Sequence, residues 1–176
     1  MNTEIDPPAC SPLADLAAIK VAILYEDFAC GTRARHFAGR LAESAAAIAP
    51  PSETLWRIDL LRSPIVASEA ADAAADCDYL IVSLRVDHDL PAAARQWIEA
   101  HLHGAAARGA GLIVLSDSSL SRWRLLEGIR QYLRSACSVR GVPFFSHAAA
   151  PPPARTTSCI RDPSETATVE PALAHT

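Results

Sequence analysis

The sequence predicts an α/β fold in which helices cover both faces of a parallel β-sheet. Short apolar blocks rich in β-branched residues alternate with Ala-, Leu- and Arg-rich stretches of helical composition. This alternation is typical of βαβ units, whose strands run parallel and whose ligand sites lie at the carboxyl ends of the strands. The five blocks are Val21–Tyr25, Leu55–Leu60, Tyr79–Leu84, Leu112–Leu115 and Val142–Phe145. We therefore expect a three-layer, doubly wound sheet of five parallel strands.

The polarity of the blocks predicts the order of the strands. Tyr79–Leu84 and Leu112–Leu115 are apolar on both faces, as expected of central strands. In Leu55–Leu60 apolar and charged residues alternate, which is typical of a half-exposed strand at the edge of a sheet. An edge second strand beside central first, third and fourth strands predicts the flavodoxin-like order 2-1-3-4-5.

Capping and breaking residues predict where the helices begin and end. The first helix is expected from Thr32 to about Ala49, because Pro50 and Pro51 follow. Asp89 is expected to cap the third helix, with Leu90 and Pro91 in its first turn. Three further expectations complete the set: an end of the third helix at Gly104 or Gly109, a buried Trp97, and a fourth helix from Ser121 to about Arg140.

Composition indicates one folded domain between two segments of different character. We expect a flexible lead-in over 1–18, a domain over 19–147, and a disordered tail over 148–176 that is rich in Pro, Ala and Thr. The net charge of −4 argues against nucleic acid as the main partner. No apolar run approaches the roughly 20 residues that span a bilayer, so no membrane association is expected. Five scattered cysteines without metal-like spacing fit a reducing cytoplasm.

The first candidate site is the connection between the first strand and the first helix. In this fold the free N–H groups of that connection can hold a phosphate. Alternatively, the same residues form an ordinary turn and helix start, and the Asp27 carboxylate itself caps those N–H groups. We favour capping by Asp27, because a fixed carboxylate competes with an incoming anion. The candidate residues here are Asp27, Cys30, Gly31, Thr32, Arg33 and Arg35.

Two further loops follow the third and fourth strands and should meet the first in one crevice. Strand ends that carry polar residues converge at the topological switch point of such a sheet, where ligands bind. The candidate residues in these loops are Arg85, Asp87, His88, Ser116, Asp117 and Ser118. A small phosphorylated ligand is one expected occupant of the crevice. The sequence leaves open whether the protein forms a homodimer.

The region around the third strand and its helix resembles the NADPH-dependent FMN reductases of the flavodoxin-like superfamily. The segment 78–100 contains an apolar strand, a polar loop and a helix in which Pro91, Arg95, Trp97 and Glu99 match that family in kind. The stretch 125–134 is similar to the family's fourth helix. The resemblance implies FMN as a cofactor, although no cofactor is specified by the residues alone. The family's paired glycines after the fourth strand are Ser118 and Ser119 here.

A second resemblance is to response-regulator receiver domains. Glu26 and Asp27 resemble their acidic pair, and Ser116 stands where receivers have a switch Ser or Thr. Ser83, however, replaces the phospho-accepting Asp. Taken together, the sequence favours a small-ligand-binding or regulatory module without catalysis of its own. The alternatives are an FMN-dependent NAD(P)H oxidoreductase of the flavin or quinone reductase type, and a pseudo-receiver signalling domain.

Overall fold

The fold is a single five-stranded parallel sheet. The computed structural model describes residues 18–45, 47, 49–85, 88–117 and 123–149. Its strands lie in the order β2-β1-β3-β4-β5, so the predicted flavodoxin-like topology is confirmed. The strands are β1 (Lys20–Tyr25), β2 (Ser52–Arg57), β3 (Tyr79–Leu84), β4 (Gly111–Asp117) and β5 (Phe144–Ala149).

Helices alternate with the strands, as the βαβ pattern predicts. They are α1 (Phe28–Ser44), α2 (Pro64–Ala74), α3 (Ala92–Arg108) and α4 (Trp123–Arg140), with a 3₁₀ helix (Ile58–Arg62) between β2 and α2. The register pairs Tyr25 with Ser83 and Leu84 with Ser116. The carboxyl ends of β1, β3 and β4 therefore lie side by side, which is where the candidate residues meet.

The larger core lies on the side of the sheet that α2, α3 and α4 cover. Leu24, Leu80 and Val82 of the central strands pack there against large side chains of the helices. Trp97 is buried among them, and its indole N–H donates to the backbone carbonyl of Ala67 at 2.8 Å. The predicted burial of Trp97 is thus confirmed.

The opposite side of the sheet carries a smaller core beneath α1. Ala34 and Ala38 of α1 are fully buried against Val21, Ile23 and Ile81 of the strands. Small alanines let the helix backbone approach the sheet closely. Among the described residues, α1 is the helix on this side.

The predicted bounds of α1 were wrong at both ends. The helix begins at Phe28 rather than Thr32 and ends at Ser44 rather than Ala49. The early start follows from Asp27, whose side chain caps the first turn. Gly31, interpreted from the sequence as part of a turn, therefore lies within the first turn of the helix.

Two other predicted bounds were wrong, and the predicted end of the third helix is confirmed at Gly109. The second strand ends at Arg57, because Ile58–Leu60 belong to the 3₁₀ helix. Pro91 rather than Asp89 is the N-cap of α3, and this cap makes no side-chain hydrogen bond. Gly109 ends α3 with a positive φ of 72°, a conformation that favours glycine, whereas Gly104 lies inside the helix.

The last strand, β5, begins and ends later than the sequence predicts. β5 begins at Phe144 rather than Val142 and runs to Ala149, two residues beyond the predicted limit of the domain. The predictions for 1–17 and 150–176 lie outside the described residues. No helix within the described ranges is long and apolar enough to cross a bilayer.

Candidate functional site

The carboxylate of Asp27 caps the N-terminus of α1, directly after β1. Its Oδ1 accepts a hydrogen bond from the backbone N–H of Cys30 at 2.8 Å. That hydrogen bond is the main reason why the pKa of Asp27 lies below its usual value of 3.8. A negative charge therefore occupies the helix N-terminus, where a phosphate would otherwise bind. The capping role that we favoured for Asp27 is confirmed.

Arg33 ties α1 to the ends of β3 and β4. Its Nη2 donates to the carbonyl of Leu84 at 2.8 Å, and its guanidinium forms an ion pair with Asp117. The same Nη2 lies 3.2 Å from the Sγ of Cys30. Only 15% of the Arg33 side chain is exposed, so the guanidinium is screened less than a surface charge. The Arg33 side chain therefore occupies part of the crevice.

Ser83 joins this network from inside the sheet. Its hydroxyl donates to the carbonyl of Cys30 at 2.8 Å and accepts from Nε of Arg33 at 3.3 Å. Ser83 is fully buried, and its hydrogen bonds satisfy a hydroxyl that would otherwise be costly to bury. Ser83 is not among the site residues predicted from the sequence. The signal that could have found it is a hydroxyl near the end of an otherwise apolar central strand.

Glu26 connects the first loop with the loop after β3. Its Oε2 accepts from the backbone N–H of Arg85 at 2.6 Å, and its Oε1 lies 3.1 Å from Nε2 of His88. Arg85 also approaches Asp27, with its Nη1 3.4 Å from Oδ2. Glu26 was not selected from the sequence as a site residue. Its adjacency to Asp27 at the end of β1 was the available signal.

A cavity of about 410 Å³ opens beside Glu26. It lies between the 3₁₀ helix after β2 and the residues that lead into α3. Two carboxylates of its lining pair with arginines that do not line it. Asp59 accepts from Nη2 of Arg57 at 2.6 Å, and Asp89 pairs with Arg95. The cavity is lined by Glu26, Ile58, Asp59, Arg62, His88, Asp89 and Pro91.

Several sequence-predicted residues lie away from this network. Arg35 is on the opposite flank of α1, where its Nε donates to Glu53 at 2.8 Å. Thr32 donates its hydroxyl to the Phe28 carbonyl at 3.0 Å, within its own helix. Gly31 is buried against the ring of Tyr25.

Ser116 and four other residues complete the set of predicted site residues. Ser116 is fully buried and accepts from Nη2 of Arg130 at 3.2 Å, so it contacts α4 rather than the loops. Asp117 and His88 belong to the network described above. Asp87 and Ser118 lie outside the described residues.

The Cys30 thiol is a buried group rather than an activated nucleophile. Burial is the largest influence on it and raises its pKa above the usual value of 9.0, although the nearby Arg33 acts in the opposite direction. The thiol is therefore protonated near neutral pH. Within the described residues, no three His, Cys, Asp or Glu side chains are grouped to hold a metal ion.

Comparison with known proteins adds no family to this description. No protein-family model matches the chain, and a search of curated protein sequences gives no match.

Proposed function

We propose that this protein is a regulatory module that binds a small polar ligand at the carboxyl ends of β1 and β3 and has no catalytic activity of its own. The observation that carries the proposal is the Asp27 carboxylate on the Cys30 N–H at 2.8 Å. It leaves the helix N-terminus without a vacant anion site, the feature on which a flavin phosphate depends in this fold. Flavin chemistry is therefore not the function that we favour.

The side chains around the crevice are engaged with one another. Arg33 is bound by Asp117 and Leu84, and Glu26 is bound by Arg85 and His88. Catalysis needs a base or nucleophile that is poised to react, whereas the Cys30 thiol is held protonated by burial. A ligand that enters exchanges these internal partners for its own groups. Such an exchange fits recognition and regulation better than bond making.

The cavity beside Glu26 supports the proposal. Its volume of about 410 Å³ suits a small molecule. His88 and Arg62 offer donors on its lining, and Asp59 and Asp89 offer acceptors. A phosphorylated ligand that extended to the start of α1 would first have to displace the carboxylate of Asp27.

The proposal is tested by titrating FMN into the wild-type protein, Asp27→Asn and Asp72→Asn, with flavin fluorescence as the measurement. Asn is also a good N-cap, so Asp27→Asn removes the charge and keeps the capping group. Asp72 is exposed on α2, so Asp72→Asn is a control for loss of one charge elsewhere. We expect no FMN binding by the wild type or the control, and binding by Asp27→Asn.

The same titration also tests the second candidate function. An FMN-dependent NAD(P)H reductase is favoured by the topology, in which the loops after β1 and β3 meet at the switch point. Binding of FMN by the wild type at micromolar concentrations, with the control unchanged, would overturn our proposal in favour of the reductase. Failure of Asp27→Asn to bind would show that the carboxylate is not what excludes the flavin.

A further inference from the structure

A larger groove lies on the other flank of α1, between this helix and the edge strand β2. Its volume is about 730 Å³, within the range of small-molecule sites. Gly31, Thr32 and Arg35 of the predicted site line it, but Asp27, Arg33 and Ser83 do not, so the groove is separate from the network at the strand ends. It is lined by Tyr25, Phe28, Gly31, Thr32, Arg35, His36, Gly39, Arg40, Glu43, Glu53 and Leu55.

One end of the groove is apolar and aromatic. Phe28 is 87% exposed, so its ring contributes almost nothing to the core. Leu55 of β2 is also exposed, and the ring of Tyr25 packs against Gly31 at the base of the helix. An exposed aromatic side chain beside other apolar surface indicates a contact that the folded chain does not itself make.

The middle of the groove is open because of a glycine. A Cβ atom added at Gly39 would meet nothing within 4 Å. Glycine inside a helix costs about 1 kcal/mol relative to alanine. The missing side chain therefore does not relieve a clash in the folded chain, and its effect is to leave space beside the helix.

The other end of the groove carries Arg40, a cation that no carboxylate of the described residues pairs with. His36 and Arg40 are four residues apart on α1, so they are neighbours on the surface of the helix. The Arg40 guanidinium lies 5.7 Å from the centre of the Phe37 ring. Arg35, by contrast, is neutralised by Glu53. Glu43, three residues after Arg40 on α1, also lines the groove.

We propose that this groove is a second binding site, and that its ligand is a planar aromatic carboxylate of at least two fused rings. The rings would lie between Phe28 and Leu55, and the carboxylate would pair with Arg40. Helical side chains lean toward the N-terminus, so Arg40 reaches back toward the apolar end. Phe28 and Arg40 are separated by about 18 Å of helix, a span that an elongated two- or three-ring anion can bridge with the Arg40 side chain.

The test is an NMR titration of the full chain with 2-naphthoate, following backbone amide signals. Two variants are compared: Gly39→Leu, which places a side chain in the groove, and Gly128→Leu. Gly128 is also a helical glycine with nothing within 4 Å of an added Cβ, but it lies on α4. Both changes improve helix propensity, so neither is expected to prevent folding.

We expect saturable shifts in residues of α1 and β2, about tenfold weaker binding by Gly39→Leu, and unchanged binding by Gly128→Leu. The uncharged 2-naphthamide should bind the wild type more weakly than 2-naphthoate, and Arg40→Gln should remove that difference. Equal binding by Gly39→Leu and Gly128→Leu would overturn the proposal. So would shifts confined to the crevice, or a wild-type dimer that becomes monomeric in Gly39→Leu, since a second copy would then be the occupant.

Discussion

The two sides of the sheet are held together in different ways. On the side of α2, α3 and α4, large side chains such as Trp97 and Leu133 fill a broad apolar core. On the side of α1, two buried alanines meet the strands, and polar contacts of Asp27, Arg33 and Ser83 fix the start of the helix. Apolar burial has no preferred direction, whereas hydrogen bonds do. Bulk stability therefore comes mainly from the first side, and exact placement of the strand ends from the second.

The strongest test of where the stability comes from is to remove the largest side chain of the α2–α4 side. We expect Trp97→Ala to lower the free energy of unfolding by about 3–5 kcal/mol, because it leaves a cavity and removes the hydrogen bond from the indole N–H to the Ala67 carbonyl. Chemical denaturation measures this loss. Phe145→Ala serves as the control, since Phe145 is 52% exposed and its removal should cost far less. An unchanged transition midpoint for Trp97→Ala would contradict the assignment of stability to this side.

Acidification should also act on the α2–α4 side. His101 stacks on Trp97 with ring centroids 5.4 Å apart, and burial lowers its pKa from 6.5 to about 4. Between about pH 6.5 and 4, His101 is therefore mostly neutral in the folded state and mostly protonated in the unfolded chain. Stability should fall as the pH drops from about 6.5 toward 4, by at most about 3 kcal/mol.

The measurement is the free energy of unfolding as a function of pH for the wild type, His101→Gln and His36→Gln. His101→Gln should flatten the profile between pH 6.5 and 4. His36 is exposed on α1, so His36→Gln should leave the profile as it is in the wild type. A wild-type profile that is already flat in this range would show that His101 is not held neutral by the fold.

The smallest of the expected changes concerns the α1 side. Ser83→Ala leaves the Cys30 carbonyl and the Nε of Arg33 without the hydroxyl that they share. We expect a loss of about 1–2 kcal/mol in unfolding free energy, the cost of unsatisfied buried polar groups. Ser52→Ala, at the exposed start of β2, is the matched control. If the two variants were equally stable, polar contacts would not be what fixes α1.

Strand order could be predicted from the sequence, because it depends on which blocks are apolar on both faces. Element bounds were harder to predict. Ile58–Leu60 continues the alternation of β2, but the same spacing also suits a 3₁₀ turn, and the structure adopts the turn. The start of α1 was missed because Gly31 was interpreted as a turn residue, although Asp27 is a good N-cap.

The candidate site was predictable only to the level of its loops. Topology alone places the ends of β1, β3 and β4 together, and Asp27, Arg33, His88 and Asp117 do meet there. Which arginine turns inward could not be predicted. Arg33 and Arg35 are two residues apart on a helix, so they point to different flanks, and their partners Asp117 and Glu53 are distant in sequence.

The contact between Gly31 and Tyr25 has a consequence for how this sequence can vary. A Cβ atom at position 31 would stand 3.2 Å from the Cδ2 of Tyr25, closer than most such contacts. Any larger residue there must push the ring or lift the first turn of α1. Phe28, three residues earlier, faces solvent and meets no such barrier. Among relatives that keep this fold, position 31 should stay small for steric reasons, so variation at position 28 is the more informative test of whether the proposed groove site is under selection.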